Sequence, residues 1–212
     1  MSNYINKYLN QSAFDADSTK QYPNTALIGN EIVFTKTEPS FNGLTVKYNI
    51  RQDQTQYEVP LFNGGGGESS GSSESGSSES GGGGALPTTM IVDGVSETPI
   101  NTWRFTTVGE HIVQYTFEDN TVPQGFISTG AGAIPATEVI VGTDITEISP
   151  SAFDIPLTSA TCLSTTPPTL SSNSTFSTEE NYPIYVPAES VNTYKTANLA
   201  WPSLASRIFA IQ

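Results

Sequence analysis

Cysteine and histidine are almost missing from this chain, with Cys162 and His111 the only examples of each. One cysteine cannot close an internal disulfide, and one thiol with one imidazole cannot supply the ligands of an ordinary zinc site, so metal and thiol chemistry are largely excluded. Basic residues are scarce too: 8 Lys and Arg stand against 21 Asp and Glu, and the net charge of −13 repels a phosphate backbone and an anionic bilayer alike. Nucleic acid and membrane insertion are therefore not expected. No apolar run approaches the roughly 20 residues that cross a bilayer, and the opening segment from Met1 to Gln11 has no apolar signal core. Gly125, Gly130 and Gly132 do not lie between a strand and a helix, so a phosphate-cradling loop is absent as well. What remains is 212 residues with 36% hydrophobic and 10% aromatic side chains, enough to build a core in one large domain or two small ones. This composition favours a structural or binding role over an enzyme.

The sharpest boundary is 64–84, which contains only Gly, Ser and Glu and has nothing to bury. Its matching four-glycine flanks read as an engineered connector, the alternative being a natural low-complexity loop. Strand patterns lie on both sides of it. Leu44 to Ile50 alternates strictly, with Leu44, Val46, Tyr48 and Ile50 on one face and Thr45, Lys47 and Asn49 on the other. Ile32 to Phe34 and Tyr57 to Phe62 also read as extended, with Pro60 pushing the latter toward an edge or a bulge. Beyond the connector, Met90 to Val92 runs into the turn signal Asp93-Gly94, Trp103 to Phe105 follows, and His111 to Phe117 alternates with Val113, Tyr115 and Phe117 inward. Short strands at this spacing fit an immunoglobulin-like sandwich.

The pattern changes at Thr121. Ala136 to Val141 is a short strand, and Ile145, Ile148 and Ala152-Phe153 follow at the stepped spacing of a leucine-rich-repeat coil. Gly125-Phe126 resembles the end of a preceding coil and Leu157 to Leu163 the start of a following one. So few coils cannot bury a solenoid core alone, which calls for support from the sandwich, a cap or another subunit. Pro187 to Ala197 reads as a helix, with Pro187 suited to its start, Glu189 in its first turn and Val191 and Tyr194 on one face. Trp201, Leu204 and Ile208 continue an apolar stripe that can seal the coil.

The tail, Thr166 to Leu170, Pro183 to Lys195, Trp201 and Ala205 to Ile208, resembles the C-terminal capping segment of BspA-type leucine-rich-repeat proteins of gut Bacteroidales and their phages. Ile91 to Gly94 through Gly109 to Thr116 looks like the strand pair that often precedes those repeats. The N-terminal stretch Tyr4 to Leu9, Ala13 to Asp17 and Tyr22 to Ile28 is similar to the opening segment of head-fibre and tail-associated virion proteins from tailed phages of the same hosts, including the crAss-like group. The resemblance implies attachment to the particle through that segment and assembly in the host cytoplasm, which agrees with the missing signal peptide.

The candidate chemical groups point elsewhere than catalysis. His111 shares its face with Val113 and Tyr115, whereas Glu110 points to the other face, so the default is a strand-end histidine at the sandwich rim. Cys162 lies among small and apolar residues and reads as a buried hydrophobe. Glu179-Glu180 and Glu118-Asp119 sit in polar turn sequence, and Asp15, Asp17, Asp53 and Asp144 have no calcium-loop spacing. Trp103 and Trp201 are assigned to core packing rather than to stacking on a sugar. No catalytic, cofactor-binding or metal-ligating residue is named, no cofactor is expected, and the chain is read as not an enzyme. The fold expected is mainly β: an attachment arm (1–30), an immunoglobulin-like β-sandwich (31–120) interrupted by the connector, and a short leucine-rich-repeat-like coil with a C-terminal helical cap (121–212). The expected function is a structural virion component of a tailed bacteriophage, homo-oligomeric, bound to other virion proteins through its arm and displaying a surface toward a host protein or glycan. The alternative is a cell-surface BspA-like adhesion module.

Overall fold

The structure is a computed structural model that describes residues 25–28, 31–35, 41–56, 58–62, 86–128, 136–177, 181–198 and 200–212. The connector 64–84 and residues 1–24 of the arm lie outside the described residues. The chain divides into two compact units, Met1–Ser40 and Phe41–Gln212. In the first, β1 (Thr25–Ile28) and β2 (Glu31–Thr35) form an antiparallel pair. The sequence reading assigned Ile32 to Phe34 to the sandwich, but this strand is matched with Thr25–Ile28. Only Gly29-Asn30 separates the two strands in sequence, a hairpin-length connection that closes at small entropic cost.

The second unit is mainly β. Its first half contains β3 (Leu44–Ile50), β4 (Val59–Pro60), β5 (Thr89–Val92), β6 (Val95–Glu97), β7 (Thr102–Trp103) and β8 (Gly109–Thr116). Then come β9 (Thr121–Val122), β10 (Ile127–Ser128), β11 (Ala136–Val141), β12 (Glu147–Ile148), β13 (Phe153–Asp154), β14 (Ser159–Cys162) and β15 (Thr169–Leu170). The tail adds β16 (Ile184–Val186), the helix α1 (Val191–Thr196) and β17 (Ile208–Ala210). One eight-stranded mixed sheet, in the order β17-β16-β14-β11-β3-β8-β5-β6, crosses the boundary expected near residue 120. The join is at β3, which pairs antiparallel with β8 on one side and with β11 on the other.

The two halves of this sheet are built differently. The antiparallel half, β3, β8, β5 and β6, is hairpin-connected in part, with Asp93 and Gly94 both at positive φ (50° and 83°) in the turn between β5 and β6. In the other half the chain winds, and each circuit adds a parallel strand to three ladders. β14 follows β11 and β16 follows β14 in the large sheet; β9, β12 and β15 stack in a second ladder; β10, β13 and Phe176 stack in a third. The winding's short strands leave Ile145, Ile148, Ala152 and Phe153 buried at the steps the sequence marked.

The alternating residues of β3 land as the pattern requires, with Leu44, Val46, Tyr48 and Ile50 buried. Thr45 was expected outward with Lys47 and is nevertheless buried, because β3 is a central strand with neighbours on both sides covering it. Lys47 lies between two acidic neighbours, its Nζ 3.0 Å from Glu138 of β11 and 3.9 Å from Glu110 of β8. Such half-exposed pairs contribute about 0–1 kcal/mol each and serve mainly to fix register. Pro60, which cannot donate to a ladder, sits in the two-residue pair β4–β7 and not in the large sheet. Over the sheet's inner face, the Tyr48 hydroxyl donates to the Leu61 carbonyl at 2.7 Å, and Tyr115 lies 3.2 Å from that same hydroxyl. Phe126 is stacked on Phe62 and meets Tyr115 and Phe117 edge-on, so one ring from the start of the winding plugs the aromatic nest of the first half.

The C-terminal segment contains one short helix where the sequence indicated a helix. A 3-10 turn, Ala188–Ser190, runs into α1, and a second, Trp201–Arg207, leads into β17. Trp201 is fully buried, donates from Nε1 to the Pro168 carbonyl at 2.8 Å and meets Tyr194 edge-on at 4.8 Å. Ile208, read from sequence as the end of a helical stripe, instead opens β17 and pairs with Ile184. With three residues per turn, the 3-10 segment buries Trp201, Leu204 and Arg207 along one eclipsed face, and the extended backbone beyond it completes the sheet edge.

At the seam, the end of β11 meets the start of β3 through two glycines. The Gly142 amide donates to the Gly43 carbonyl at 2.7 Å and the Asp144 amide to the Asn42 carbonyl at 2.9 Å. A Cβ on Gly142 would collide with the Asn42 and Gly43 carbonyls, and one on Gly43 with the Tyr115 carbonyl. Backbone cannot retreat as a side chain can, so Gly142→Ala is expected to cost about 2 kcal/mol or more and lower the melting temperature by roughly 4–8 °C in a thermal unfolding scan. An unchanged melting temperature would show that the seam is not tightly closed.

Candidate functional site

The side chains that sequence offered for chemistry are brought into contact with structural partners. His111 is buried on the inner face of β8, in line with Val113 and Tyr115, and Glu110 is exposed on the opposite face, as the alternation required. Its surroundings were not legible in the sequence. Nδ1 lies 2.7 Å from Asp93 Oδ2, Nε2 lies 3.0 Å from the Thr107 carbonyl and 3.3 Å from Thr107 Oγ1, and the ring rests on Phe105 at 4.5 Å. Asp93 also accepts from the Ile112 amide at 2.9 Å and donates its own amide to the Ile112 carbonyl.

This group has the outline of a hydroxyl, imidazole and carboxylate relay, and its geometry argues against that use. Nε2 lies nearer to the Thr107 carbonyl, at 3.0 Å, than to the Thr107 hydroxyl, at 3.3 Å, so the hydroxyl competes with a carbonyl, which can only accept, for the ring nitrogen a nucleophile would need. What the contacts do achieve is to hold the Asp93-Gly94 turn and the Thr107 loop to the end of β8. The Asp93 signal was present in sequence, in the Asp-Gly turn, but its pairing with His111 depends on β5–β8 register.

Cys162 is fully buried at the end of β14 and paired with Tyr194, whose hydroxyl donates to the Ser164 carbonyl at 2.8 Å. Burial pushes the thiol up to about 12, with the bond to Tyr194 pulling weakly the other way. Burial likewise raises Tyr48, Tyr115 and Tyr194, and takes Tyr182 up to about 12. Arg207 is buried over the Tyr182 ring at 4.4 Å and donates from Nε to the Tyr182 carbonyl and from Nη1 to the Ser177 carbonyl. Sequence reading did not single out Arg207, since nothing local marks a cationic residue that turns inward at the end of a 3-10 segment.

The other sequence candidates do not converge. Trp201 is in the cap, while Trp103 is half-buried against the core on β7. Asp53 pairs with Arg51 at 3.6 Å on the surface, and Asp144, Glu118 and Asp119 are exposed. Asp15, Asp17 and Glu179-Glu180 lie outside the described residues. Among the described residues no three His, Cys, Asp or Glu side chains gather to hold a metal ion, and no helix is long and apolar enough to cross a membrane.

The outer face of the large sheet has a different character. Phe209, Tyr185, Thr161, Ile140, Thr45 and Gln114 are successive register partners across six strands, and none is charged. In a chain of net charge −13 this is a row from which charge has been kept away. No protein-family model matches the chain, and no curated protein matches it.

Two measurements follow from the buried hydroxyls and thiol. Cys162 should fail to react with a thiol-selective disulfide reagent near pH 8 in the native protein and react stoichiometrically once guanidinium unfolds it; fast native reaction would mean that the coil end opens. Each raised group holds its proton in the folded state above the pH at which the unfolded chain, with ordinary values of 9.0 for the thiol and 10.0 for the phenols, releases it. Stability from this source is intact below about pH 9 and falls as pH climbs toward 12. Denaturant midpoints measured from pH 8 to 11 should therefore decline on the alkaline side, and a flat profile would contradict the burial of these groups.

Proposed function

We propose that the chain is a non-enzymatic structural protein of a tailed-phage virion, head-fibre or tail-associated, which attaches by its N-terminal arm and displays the unit 41–212. The observation that carries this reading is the employment of His111 and Cys162: each is committed to holding loops, strands or the C-terminal segment together. The N-terminal resemblance supplies the location, the virion, and its partners, other virion proteins. The finer fold belongs to the same reading. The three parallel ladders support a short leucine-rich-repeat coil of the BspA type closed by a cap, and the antiparallel order β3-β8-β5-β6 with the small β4–β7 ladder supports a sandwich of immunoglobulin-like descent. A homo-oligomer fits a winding of so few circuits.

Antibodies raised against residues 41–212 should decorate purified phage particles in electron micrographs, and the chain should sediment with them. Recovery of the chain from the surface of uninfected bacteria, with bare particles, would overturn the virion assignment in favour of the adhesion module.

A further inference from the structure

The uncharged row ends at the sheet edge in two adjoining hollows. The larger, about 460 Å³, is bordered by Asn181, Tyr185, Ser206, Phe209 and Gln212 together with Arg207. The smaller, about 290 Å³, is bordered by Thr161, Tyr185, Ile211 and Gln212. Tyr185 and Gln212 border both. Phe209 is 50% exposed and its ring centroid lies 6.5 Å from that of Tyr185, with the planes inclined by 49°. Exposed aromatic rings at a sheet edge lose favourable burial unless something covers them.

We infer that this edge is a carbohydrate-binding site that takes a neutral oligosaccharide chain across the Tyr185 and Phe209 rings. The chemistry of the border selects that occupant. A pyranose ring offers a face of C–H groups to an aromatic surface and a girdle of hydroxyls to hydrogen-bonding side chains. The two rings supply the first, and the amides of Asn181 and Gln212 with the hydroxyls of Ser206 and Thr161 supply the second. Among the described residues no Asp or Glu side chain borders either hollow, although acidic residues outnumber basic ones in the chain. The bordering cation, Arg207, lies over the Tyr182 ring and donates from Nε and Nη1 to the Tyr182 and Ser177 carbonyls, which holds its guanidinium in place, while its buried Nη2 has no hydrogen-bond partner among the described residues. The net charge of −13 repels polyanionic glycans and leaves neutral ones unaffected. The larger hollow falls within the roughly 300–1,000 Å³ common for small-molecule sites, and the adjoining smaller one gives room for a second sugar unit. This site is read from the residues of the sheet edge and does not depend on where the protein resides.

The test is isothermal titration of the full chain with maltohexaose, cellohexaose, laminarihexaose and mannohexaose, alongside Phe209→Ala and Tyr185→Ala. At least one of the four should bind the parent chain, and each variant should weaken that binding by 10-fold or more. Because Phe209 is half exposed, Phe209→Ala should retain the parent melting temperature, which separates loss of the site from loss of the fold. Absence of binding by all four sugars, or binding that both variants leave unchanged, overturns the site. Light scattering over a concentration series distinguishes the rival occupant: self-association that disappears in Phe209→Ala assigns the edge to a second copy of the chain and also overturns the sugar site. None of these outcomes bears on particle labelling, so this inference and the virion reading fail separately.

Discussion

Everything in the unit 41–212 depends on the pairing of β3 with two different neighbours. A winding of this few circuits exposes the end of its core, and a four-stranded antiparallel sheet exposes one edge and one face. Each supplies what the other lacks. β11 finds a ready-made antiparallel partner in β3, so the first full strand of the winding never presents an open edge, and the ladder continues from β6 to β17 without interruption. The close approach of Gly43 and Gly142 lets the two backbones meet at the end of that pairing, and Phe126 reaches from the winding into the aromatic group of the antiparallel half.

The polar groups inside this sheet illustrate how a protein with little cationic side chain meets the requirements of burial. Several buried donors use main-chain carbonyls as partners: the hydroxyls of Tyr48 and Tyr194 bond to Leu61 and Ser164, the Trp201 indole to Pro168 and the Arg207 guanidinium to Tyr182 and Ser177, whereas the buried Tyr182 hydroxyl has no partner among the described residues. A neutral donor on a carbonyl carries a smaller desolvation cost than an ion pair taken out of water, and each bond ties a loop to the core. Arg207 is the exception in charge, and it lies over an aromatic ring with Nε and Nη1 donating to carbonyl oxygens and Nη2 left without a hydrogen-bond partner among the described residues.

Charge is distributed with the same economy. The outer face keeps one positive residue, Lys47, between Glu110 and Glu138, and beside that cluster runs a row free of charge that ends at the aromatic edge. A chain of net charge −13 repels like-charged chains, and the uncharged row is where that repulsion is weakest. That arrangement is the common ground of the proposed structural role and the proposed sugar site.

How much of this was legible without coordinates follows from the range of the interactions involved. Alternation in Leu44 to Ile50 and His111 to Phe117, the stepped apolar residues from Ile145 to Phe153 and the face shared by Val191 and Tyr194 are local patterns, and the chain's own periodicity decided which side of each element is buried. Sequence also determined the scarcity of cysteine, histidine and basic side chains, because composition needs no fold. The tertiary structure alone decided that β3 joins β11, that Glu31–Thr35 pairs with Thr25–Ile28, that Asp93 meets His111 and that Tyr185 stands beside Phe209. Those are register relations between segments distant in sequence or alternative neighbours of equal local merit, and strand pairing is selected by the sum of contacts over the whole sheet, which no short window of residues contains.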